Sequence, residues 1–385
     1  MTDDLIWDER ALMPDYVPME TPGRQEELQR IHHTFSAIFI DPTLAPVAMV
    51  VGPVGCGKTM TVKKASQTLC EEARLSGVYM ASTYVNCRID RSPASILNRV
   101  THSLSLQFPR RGFEIQETLD FIHQNLVSSR SKLLLILDEV DSLSHPGDEN
   151  LLYALLRMGE VWGSSPVALL LAAKDVSFIW GLDESVRSSL RRQTIRLEPY
   201  TAQQLVKILE ARAKEALAKD ALNPDACELI AEMAGQYGDA RYAIELLYRS
   251  AVVARERGAV RIYAPDVLEA RNSLPPQVGL QELEYLTLHE RIILIATAKL
   301  LQSSSKAFVS TGELEAEYRS ICAASKVKPH GHTTVWITIN EMKSKGLLLT
   351  SQSGRGRRGR TTMVGLNVPP REVMRRAALL AKPGT

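Results

Sequence analysis

One stretch of the chain carries residue types typical of a phosphate-binding loop. The segment GPVGCGKT (52–59) matches G-x-x-x-x-G-K-[ST], between an apolar run and a helical pattern. Glycines let backbone N–H groups converge on phosphate oxygens, and the N-terminus of the next helix adds a positive end. Lys58 would reach the β and γ phosphates, and the Thr59 hydroxyl would hold Mg²⁺. The expected nucleotide contacts are Gly52, Gly55, Cys56, Gly57, Lys58, Thr59 and Met60.

Two carboxylates follow the most apolar segment of the chain. LLLIL (133–137) is apolar at every position, which predicts a strand buried on both faces, and Asp138 and Glu139 come directly after it. Open parallel sheets bind ligands at the carboxyl ends of their strands. We expect Asp138 to hold Mg²⁺ through water and Glu139 to orient or deprotonate the attacking water, with Lys58 as the third catalytic residue. Asp141 is assigned to a solvated turn.

The elements that must position these residues alternate between short apolar runs and helical patterns. The apolar runs cover residues 47–52, 79–87, 132–139, 166–175 and 193–199. This alternation predicts an α/β domain with a parallel sheet and helices on its faces. From residue 201 to about 272 the pattern is purely helical, and NSLPPQVG (272–279) has the composition of a linker.

The C-terminal part shows the element order of a winged helix. The first helix is expected near 288–301, the second begins at Ser310 in a capping-box pattern, and the third runs over 333–345. Apolar segments at 347–350 and 361–368 then flank the basic turn SQSGRGRRGR. Helix, helix, helix, strand, basic turn, strand is the winged-helix order.

The charge of the chain is segregated between its two ends. The formal net charge is only +2, from 46 Lys plus Arg against 44 Asp plus Glu. Residues 281–385 hold 16 of the basic and 8 of the acidic side chains, which leaves 30 and 36 in residues 1–280. A net charge of +8 in the C-terminal part indicates a module that binds a polyanion.

The remaining composition excludes two classes of protein. The five cysteines are far apart and show no C-x-x-C spacing, so we expect reduced thiols that bind no metal. No apolar run approaches the roughly 18 residues that span a bilayer, and the acidic start MTDDLIWDER is unlike a signal peptide. We therefore expect a soluble, cytoplasmic, nucleoid-associated protein without a membrane partner.

Several motifs together resemble those of an AAA+ ATPase, and more closely those of archaeal replication initiators. The most specific are YVNCR (84–88), PRRG (109–112), LDEVDSL (137–143), PYTAQQL (199–205), GDARYAIELL (238–247) and GRGRRGRTT (354–362). The family resembled is that of origin recognition complex subunit one and cell division control protein six. The resemblance covers nearly the whole chain and implies an AAA+ P-loop ATPase domain (1–199), a helical lid domain (200–274) and a winged-helix DNA-binding domain (280–385).

The same resemblance implies three further contacts with ATP or ADP. Arg241 in GDAR corresponds to the sensor-two arginine, which reaches the γ-phosphate from the lid. Such an arginine can neutralise phosphoryl charge only when the lid closes over the nucleotide. Tyr200 and Arg212 match positions near the lid that contact the nucleotide. The alternatives are a surface arginine, a core aromatic and a solvated helix charge, respectively.

Two departures from the family pattern bear on hydrolysis. Where the family places an Asn that senses the γ-phosphate, this chain has Lys174, which can bind phosphate but cannot accept a hydrogen bond from water. The family's Asp-Pro-Arg-Val appears as DESV, so Ser185 stands where an arginine is expected. Arg187 is the first candidate for a finger acting in trans, before Arg191 and Arg192. The alternative is that all three arginines are surface charges and that no finger operates. Self-association on DNA therefore stays open.

Two surfaces are expected to bind DNA. On the third helix of the winged helix, Thr333, Thr334 and Thr338 are candidates to enter the major groove, on a face that also holds Glu341 and Lys345. The arginines of the basic turn suit a narrow minor groove, and the alternative is a wing that binds protein. They are Arg355, Arg357, Arg358 and Arg360. The family that this chain resembles contacts origin DNA at the positions of Arg110 and Arg111. The alternative is that these two arginines belong to a solvated loop.

These residues lead to one expected function and two alternatives. We expect an ATP-binding replication initiator that recognises duplex origin DNA and helps to load the replicative helicase, with ATP hydrolysis as a slow switch. An ATP-dependent winged-helix transcription regulator would share the same motifs. A non-catalytic DNA-binding paralogue that only holds nucleotide would account for Lys174 and Ser185.

Overall fold

The chain divides into two units, residues 15–200 and residues 1–14 together with 201–385. The structure is a computed structural model. It describes residues 5–41, 43–106, 114–143, 149–176, 179, 182, 184–191, 193–274, 286–304, 308–344, 347–352, 362–366, 370 and 373–374.

Residues 15–200 form a five-stranded parallel sheet with helices on both faces. The strands are β1 (Val47–Val51), β2 (Tyr79–Asn86), β3 (Ser131–Asp138), β4 (Val167–Ala173) and β5 (Thr194–Arg196). The helices are α1 (Gln25–Phe35), α2 (Ala37–Ile40), α3 (Lys58–Leu75), α4 (Pro93–Ser103), α5 (Ile115–Ser128), α6 (Glu149–Leu156), α7 (Met158–Trp162) and α8 (Glu184–Arg191). Across the sheet the order is β2-β3-β4-β1-β5.

Strand β3 is buried on both faces, as its uninterrupted apolar sequence predicts. Leu133, Leu135 and Leu137 pack into one core cluster with residues of α4 and α5. Leu134 and Ile136 pack into the other, with residues of α1 and α3. Alternate side chains therefore face opposite helical layers, and a polar residue at any of these positions would be buried.

The register of the sheet brings the ends of three strands to one edge. Leu137 of β3 lies beside Leu171 of β4, and Val51 of β1 lies beside Ala173. Because all three strands are parallel, the loop after β1, the end of β3 and Lys174 after β4 meet at the carboxyl edge. The fold thus places the predicted catalytic segments together.

Four helices follow in the second unit, within the segment that the sequence predicts to be helical. They are α9 (Ala202–Ala216), α10 (Pro224–Gly235), α11 (Ala240–Glu256) and α12 (Ala264–Ser273). Thr201 caps α9 in a capping box with Gln204. The Asn223 side chain caps α10 by accepting the N–H of Asp225 at 2.9 Å. At α9 and α10 the polar residue before the helix satisfies backbone donors that the first turn leaves free.

The N-terminal residues pack on this helical region. The N–H groups of Trp7 and Asp8 donate to the Ala216 carbonyl at 2.8 and 3.1 Å, and Ala218 N–H donates to Leu5 at 3.1 Å. Leu12 is buried beside them. The predicted ATPase domain begins at residue 1, whereas the structure places this segment with the helices. The pairing joins residues about two hundred positions apart, which local pattern cannot reveal.

The C-terminal region has three helices and a small antiparallel sheet. Its elements are α13 (Leu288–Ser304), β6 (Val309–Ser310), α14 (Thr311–Ala324), α15 (His332–Ser344), β7 (Leu348–Gln352) and β8 (Thr362–Leu366). The strand order is β6-β8-β7, and β6 is an addition to the predicted elements. Ser310 caps α14 in the predicted box with Glu313. The α/β class and the winged-helix order are confirmed.

Among the described helices, none is long and apolar enough to cross a membrane. All five cysteines are free thiols, and four of them are buried.

Candidate functional site

The loop between β1 and α3 has a backbone that requires glycine. Gly55 and Gly57 have φ of 79° and 89°, and Gly57 is the N-cap of α3. A Cβ at Gly57 would lie 2.5 Å from the Tyr200 hydroxyl, and one at Gly52 would lie 2.5 Å from the Leu197 carbonyl. Such a glycine-rich turn at a helix N-terminus is an anion-binding arrangement.

Lys58, Thr59 and Asp138 lie together at this loop. The Thr59 hydroxyl donates to Asp138 Oδ2 at 2.6 Å, across 79 positions of sequence. Lys58 Nζ donates to the carbonyls of Gly52 and Pro53, both at 2.8 Å, so the ammonium group lies over the loop. Met60 is half-buried in the first turn of α3. The structure therefore brings the phosphate loop and the strand-end carboxylate into direct contact.

Asp138 is held by neighbours that the sequence analysis missed in part. It is 1% exposed, and its Oδ2 also accepts the Tyr84 hydroxyl of β2 at 2.8 Å. Its Oδ1 accepts the Glu139 N–H at 2.9 Å. Burial and the Asp138 charge raise the pKa of Tyr84, which keeps the phenol a proton donor to the carboxylate. Tyr84 belongs to the YVNCR segment, but its role was not predicted.

Glu139 has a backbone conformation that is uncommon for a residue with a side chain. Its φ is 53°, in the left-handed region, and its carbonyl accepts the Ser142 N–H at 2.9 Å. Non-glycine residues with positive φ cost of order 1–3 kcal/mol and cluster at functional sites. The turn aims the chain away from β3 directly after Asp138, and the Glu139 side chain stays half-exposed.

Asp141 is bonded to the neighbouring strand end, which corrects its assignment to a solvated turn. Its Oδ1 accepts the N–H of Lys174 at 3.1 Å, and the residue is half-buried. This bond ties the segment after β4 to the segment after β3. The Lys174 side chain is exposed at the same edge of the sheet.

An arginine outside every predicted motif supports the phosphate loop. Arg24 is 3% exposed, and its guanidinium donates to the Cys56 carbonyl from Nε at 3.1 Å and from Nη2 at 2.9 Å. It also donates to the Glu198 carbonyl at 2.5 Å and pairs with Glu27 at 3.1 Å. Its carbon Cζ lies 4.0 Å from the centre of the Tyr200 ring.

This contact fixes the orientation of one peptide in the loop. In a trans peptide the carbonyl and the following N–H point in opposite directions. Because Arg24 holds the Cys56 carbonyl on one side, the Gly57 N–H points to the other. Burial raises the pKa of Tyr200 to about 12, with the Arg24 charge acting in the opposite direction. Tyr200 is packed against Gly57, beside the predicted nucleotide position rather than in solvent.

Oxygen donors, not thiols, form the candidate metal site. Burial raises the pKa of Cys56, and burial together with nearby carboxylates raises that of Cys87 to about 12, so both thiols stay protonated. The Thr59 hydroxyl and the Asp138 carboxylate are hard ligands, which suit Mg²⁺. The residues present fit the predicted ion.

The two predicted lid arginines have different surroundings. Arg212 is 4% exposed, and its Nη1 donates to the Ala11 carbonyl at 2.7 Å, so it secures the N-terminal segment. It is not the solvated helix charge that was the alternative. Arg241 is exposed in the first turn of α11, after the N-cap Asp239, whose side chain accepts its N–H at 2.8 Å.

Other predicted residues lie on α8 or outside the described part of the chain. Arg187 is half-buried on α8, and Arg191 is exposed at its end. The described residues do not include Arg110, Arg111, Arg192, Arg355, Arg357, Arg358 or Arg360.

One of the residues predicted to contact DNA from α15 is buried. Thr333 and Thr334 are exposed, but Thr338 is 9% exposed and its hydroxyl donates to the Thr334 carbonyl at 2.9 Å. Because this hydrogen bond within the helix satisfies the hydroxyl, Thr338 can lie on the buried face of α15. The large exposed residues of α15 are Trp336 and Ile337, which the sequence analysis did not select.

Three family models match successive parts of the chain. A model described as an AAA domain matches residues 43–176, and one described as a Cdc6 AAA+ ATPase-type lid domain matches 206–272. The model of the Cdc6 C-terminal winged helix domain matches residues 281–376. These matches confirm the expected AAA+ architecture with a lid and a winged helix.

Relatives match the chain over nearly its full length. The ORC1-type DNA replication protein 2 of Sulfurisphaera tokodaii is 28% identical over 371 residues, which cover 94% of this chain and 89% of that protein. Among solved structures, Cdc6p from Pyrobaculum aerophilum superposes with a TM-score of 0.79 at 27% identity. The Aeropyrum pernix ORC2 protein in ADPNP-ADP complexes gives 0.67 at 26%, and A. pernix ORC1 in complex with DNA gives 0.65 at 28%. Each alignment covers 98% of both chains.

Proposed function

Starting from the membership of this chain in the ORC1/Cdc6-type family of AAA+ replication initiators, we propose that it binds ATP and duplex origin DNA and helps to load the replicative helicase. Binding of ATP is supported by the 2.6 Å hydrogen bond from the Thr59 hydroxyl to Asp138 at the N-terminus of α3. The DNA half is supported by the winged helix with its +8 charge and by the DNA complex of the A. pernix relative.

The phosphate loop would bind the nucleotide through backbone and side-chain donors. The N–H groups from Gly55 to Thr59 would donate to phosphate oxygens, and Lys58 can leave the Gly52 and Pro53 carbonyls for phosphate oxygens. When bound, Mg²⁺ would neutralise charge on the phosphates, and Thr59 and Asp138 would hold it. Tyr84 fixes the Asp138 carboxylate by its hydrogen bond, so the ligand is oriented beforehand.

Hydrolysis would be slow because one of its usual groups is replaced. Glu139 stands one residue after Asp138 and would act as the base for the attacking water. Asp141 holds the backbone of Lys174, but the lysine ammonium has no acceptor for a water proton. Arg241 would neutralise phosphoryl charge when the lid closes, which makes nucleotide a conformational switch.

The winged helix would bind duplex DNA with α15 in the major groove and the Gly/Arg wing in the minor groove. Arg110 and Arg111 would provide a second contact from the ATPase domain. With both domains on DNA, a bend in the duplex is expected, because bending permits a larger contact. Arg187 would serve as a finger if copies of the chain assemble on DNA. The protein would act on chromosomal DNA in the cytoplasm.

Two variants test the halves of this proposal separately. Lys58→Ala should abolish ATP binding in titration calorimetry while duplex binding persists. Arg357→Ala with Arg358→Ala should weaken duplex binding and reduce its dependence on salt, since each phosphate contact contributes about −0.9 to the slope of log K against log salt. Normal ATP affinity in the first variant, or unchanged duplex binding in the second, would contradict the corresponding assignment.

Lys174 favours a second candidate, a paralogue that binds DNA and holds nucleotide without turnover. Measured ATP hydrolysis with and without duplex separates the two. Turnover that is slow but abolished by Glu139→Gln supports the switch. Hydrolysis indistinguishable from that of Glu139→Gln supports the non-catalytic paralogue.

A further inference from the structure

Helix α15 exposes two large apolar side chains opposite its buried face. Trp336 is 51% exposed and Ile337 is 47% exposed. Val335, Ile339 and Met342 already anchor the helix, each at most 3% exposed. Folding of the domain therefore leaves the exposed pair unexplained, and exposed apolar residues on a polar helix face indicate a contact with another molecule.

Three side chains line up along the helix, of which Thr333 and Ile337 are exposed and Asn340 is half-buried. With 3.6 residues per turn, Thr333, Ile337 and Asn340 follow one another at spacings of four and three, which places them on one side. Trp336 lies at the flank of this row. We name Thr333, Trp336, Ile337 and Asn340 the outward face of α15.

The chemistry of the outward face matches one kind of base pair. In the major groove, thymine presents its C5 methyl group, which apolar side chains contact, and adenine presents N7 and N6, which an asparagine amide can bind together. The amide of Asn340 lies next to the apolar pair, since its Nδ2 donates to the Trp336 carbonyl at 3.1 Å. The apolar side chains and the amide thus lie side by side, as the thymine methyl group and the adenine N6 and N7 atoms do in an A·T pair.

The cations near both ends of the helix favour DNA as the occupant, and Glu341, exposed one turn beyond Ile337, is an acidic residue on the same face. Lys326 and Lys328 are exposed in the segment before α15, and Lys343 is exposed in its last turn. The helix spans about 20 Å at 1.5 Å per residue, so these cations lie near both of its ends. The major groove is about 12 Å wide, and lysines beyond the outward face can reach phosphates on either side of it.

We propose that the outward face of α15 reads A·T base pairs, with Ile337 and Trp336 contacting the thymine methyl group and Asn340 binding adenine. This inference rests on the proposed function, because it assumes that the winged helix binds duplex DNA. It goes beyond that function by assigning the base readout to side chains other than Thr338.

The thymine methyl group can be removed without any other change to the duplex. Full-length protein with ATP first selects duplexes from a random-sequence pool. Each thymine of the selected site is then replaced by deoxyuracil, one position at a time, and binding is measured by fluorescence anisotropy. We expect affinity to fall about five- to tenfold at one or two positions, consistent with the energy of a single base contact.

Protein variants complete the test as a cycle. Ile337→Ser should lose a similar factor on the thymine duplex and show no further loss with deoxyuracil. Ile40→Ser is the matched control, because Ile40 is 89% exposed in the other unit and should bind like wild type. Asn340→Ala should become insensitive to 7-deazaadenine, which lacks the N7 acceptor, at a neighbouring position.

The outcomes distinguish this inference from the function on which it rests. Wild-type protein that binds its selected duplex equally with thymine and deoxyuracil at every position overturns the readout and leaves DNA binding intact. An Ile337→Ser variant that weakens all duplexes equally, random sequences included, also overturns it. Wild-type protein that selects and binds no duplex refutes the proposed DNA-binding function itself.

Discussion

Removal of Arg24 should affect both the stability of the ATPase domain and its affinity for ATP. The guanidinium is buried and donates to the carbonyls of Cys56 and Glu198, with Glu27 as its carboxylate partner. A hydrogen bond to a charged group contributes about 1.5–3 kcal/mol, and a desolvated cation over an aromatic ring, here Tyr200, about 2 kcal/mol. These contributions are not additive.

For Arg24→Ala we expect the free energy of unfolding to fall by about 3–5 kcal/mol, the usual cost of breaking a buried charged pair. Arg24→Lys keeps the charge but cannot make the planar fork on Cys56. The Gly57 peptide is then less well oriented, and we expect ATP affinity to fall about tenfold, or about 1.4 kcal/mol.

Urea unfolding measures the first effect, and titration calorimetry on folded protein measures the second. Arg99→Ala is the matched control, because Arg99 is half-exposed and pairs with Asp90 near the surface at 2.9 Å. It should cost no more than about 1 kcal/mol and leave ATP affinity unchanged. Wild-type ATP affinity in folded Arg24→Lys would refute the claim that Arg24 orients the phosphate loop.

Two further predictions concern a glycine and a histidine. Gly57→Ala should abolish ATP binding, since its Cβ would meet the Tyr200 hydroxyl at 2.5 Å in addition to backbone strain at φ 89°. Gly258→Ala, at φ 72° with no atom within 4 Å of the added Cβ, isolates the strain and should leave calorimetric ATP binding intact. Burial and neighbouring His330 lower the pKa of His289, so folding disfavours its protonated form. The stability that neutral His289 contributes is therefore present above the ordinary histidine pKa of about 6.5 and should be lost as pH falls below it. The melting temperature of His289→Gln should depend less on pH over this range than that of wild type.

Much of the fold could be predicted because its signals are local. The apolar run of β3 and the box at Ser310 each depend on a few consecutive residues. The phosphate loop is also local, and the strand and helix on either side of it were predicted with it. Such features persist in the folded chain because local preference and tertiary packing agree.

Contacts between distant segments could not be predicted in this way. Arg24 has partners 32 and 174 positions away, and no motif marks it. Asp141 was assigned to solvent because the approach of the segment after β4, which brings Lys174 to it, depends on the strand order. Both residues support the candidate site through backbone groups, which leave no pattern of side-chain types.

The burial of Thr338 on α15 was not predicted, for a different reason. Polar residues beside the apolar stripe were expected to face DNA, so Thr338 was predicted to lie on that face and Ile337 was not. A threonine can be buried in a helix when its hydroxyl bonds the carbonyl four residues earlier, as Thr338 does with Thr334. The expectation that apolar residues face inward fails for Trp336 and Ile337, which are exposed.

The central claim is that the chain is an ATP-binding initiator at replication origins, and footprinting on genomic DNA tests it most directly. Wild-type protein with ATP should protect repeated elements at a replication start, and Arg357→Ala with Arg358→Ala should lose that protection. Protection confined to promoters, or no protected element at any replication start, would contradict the claim.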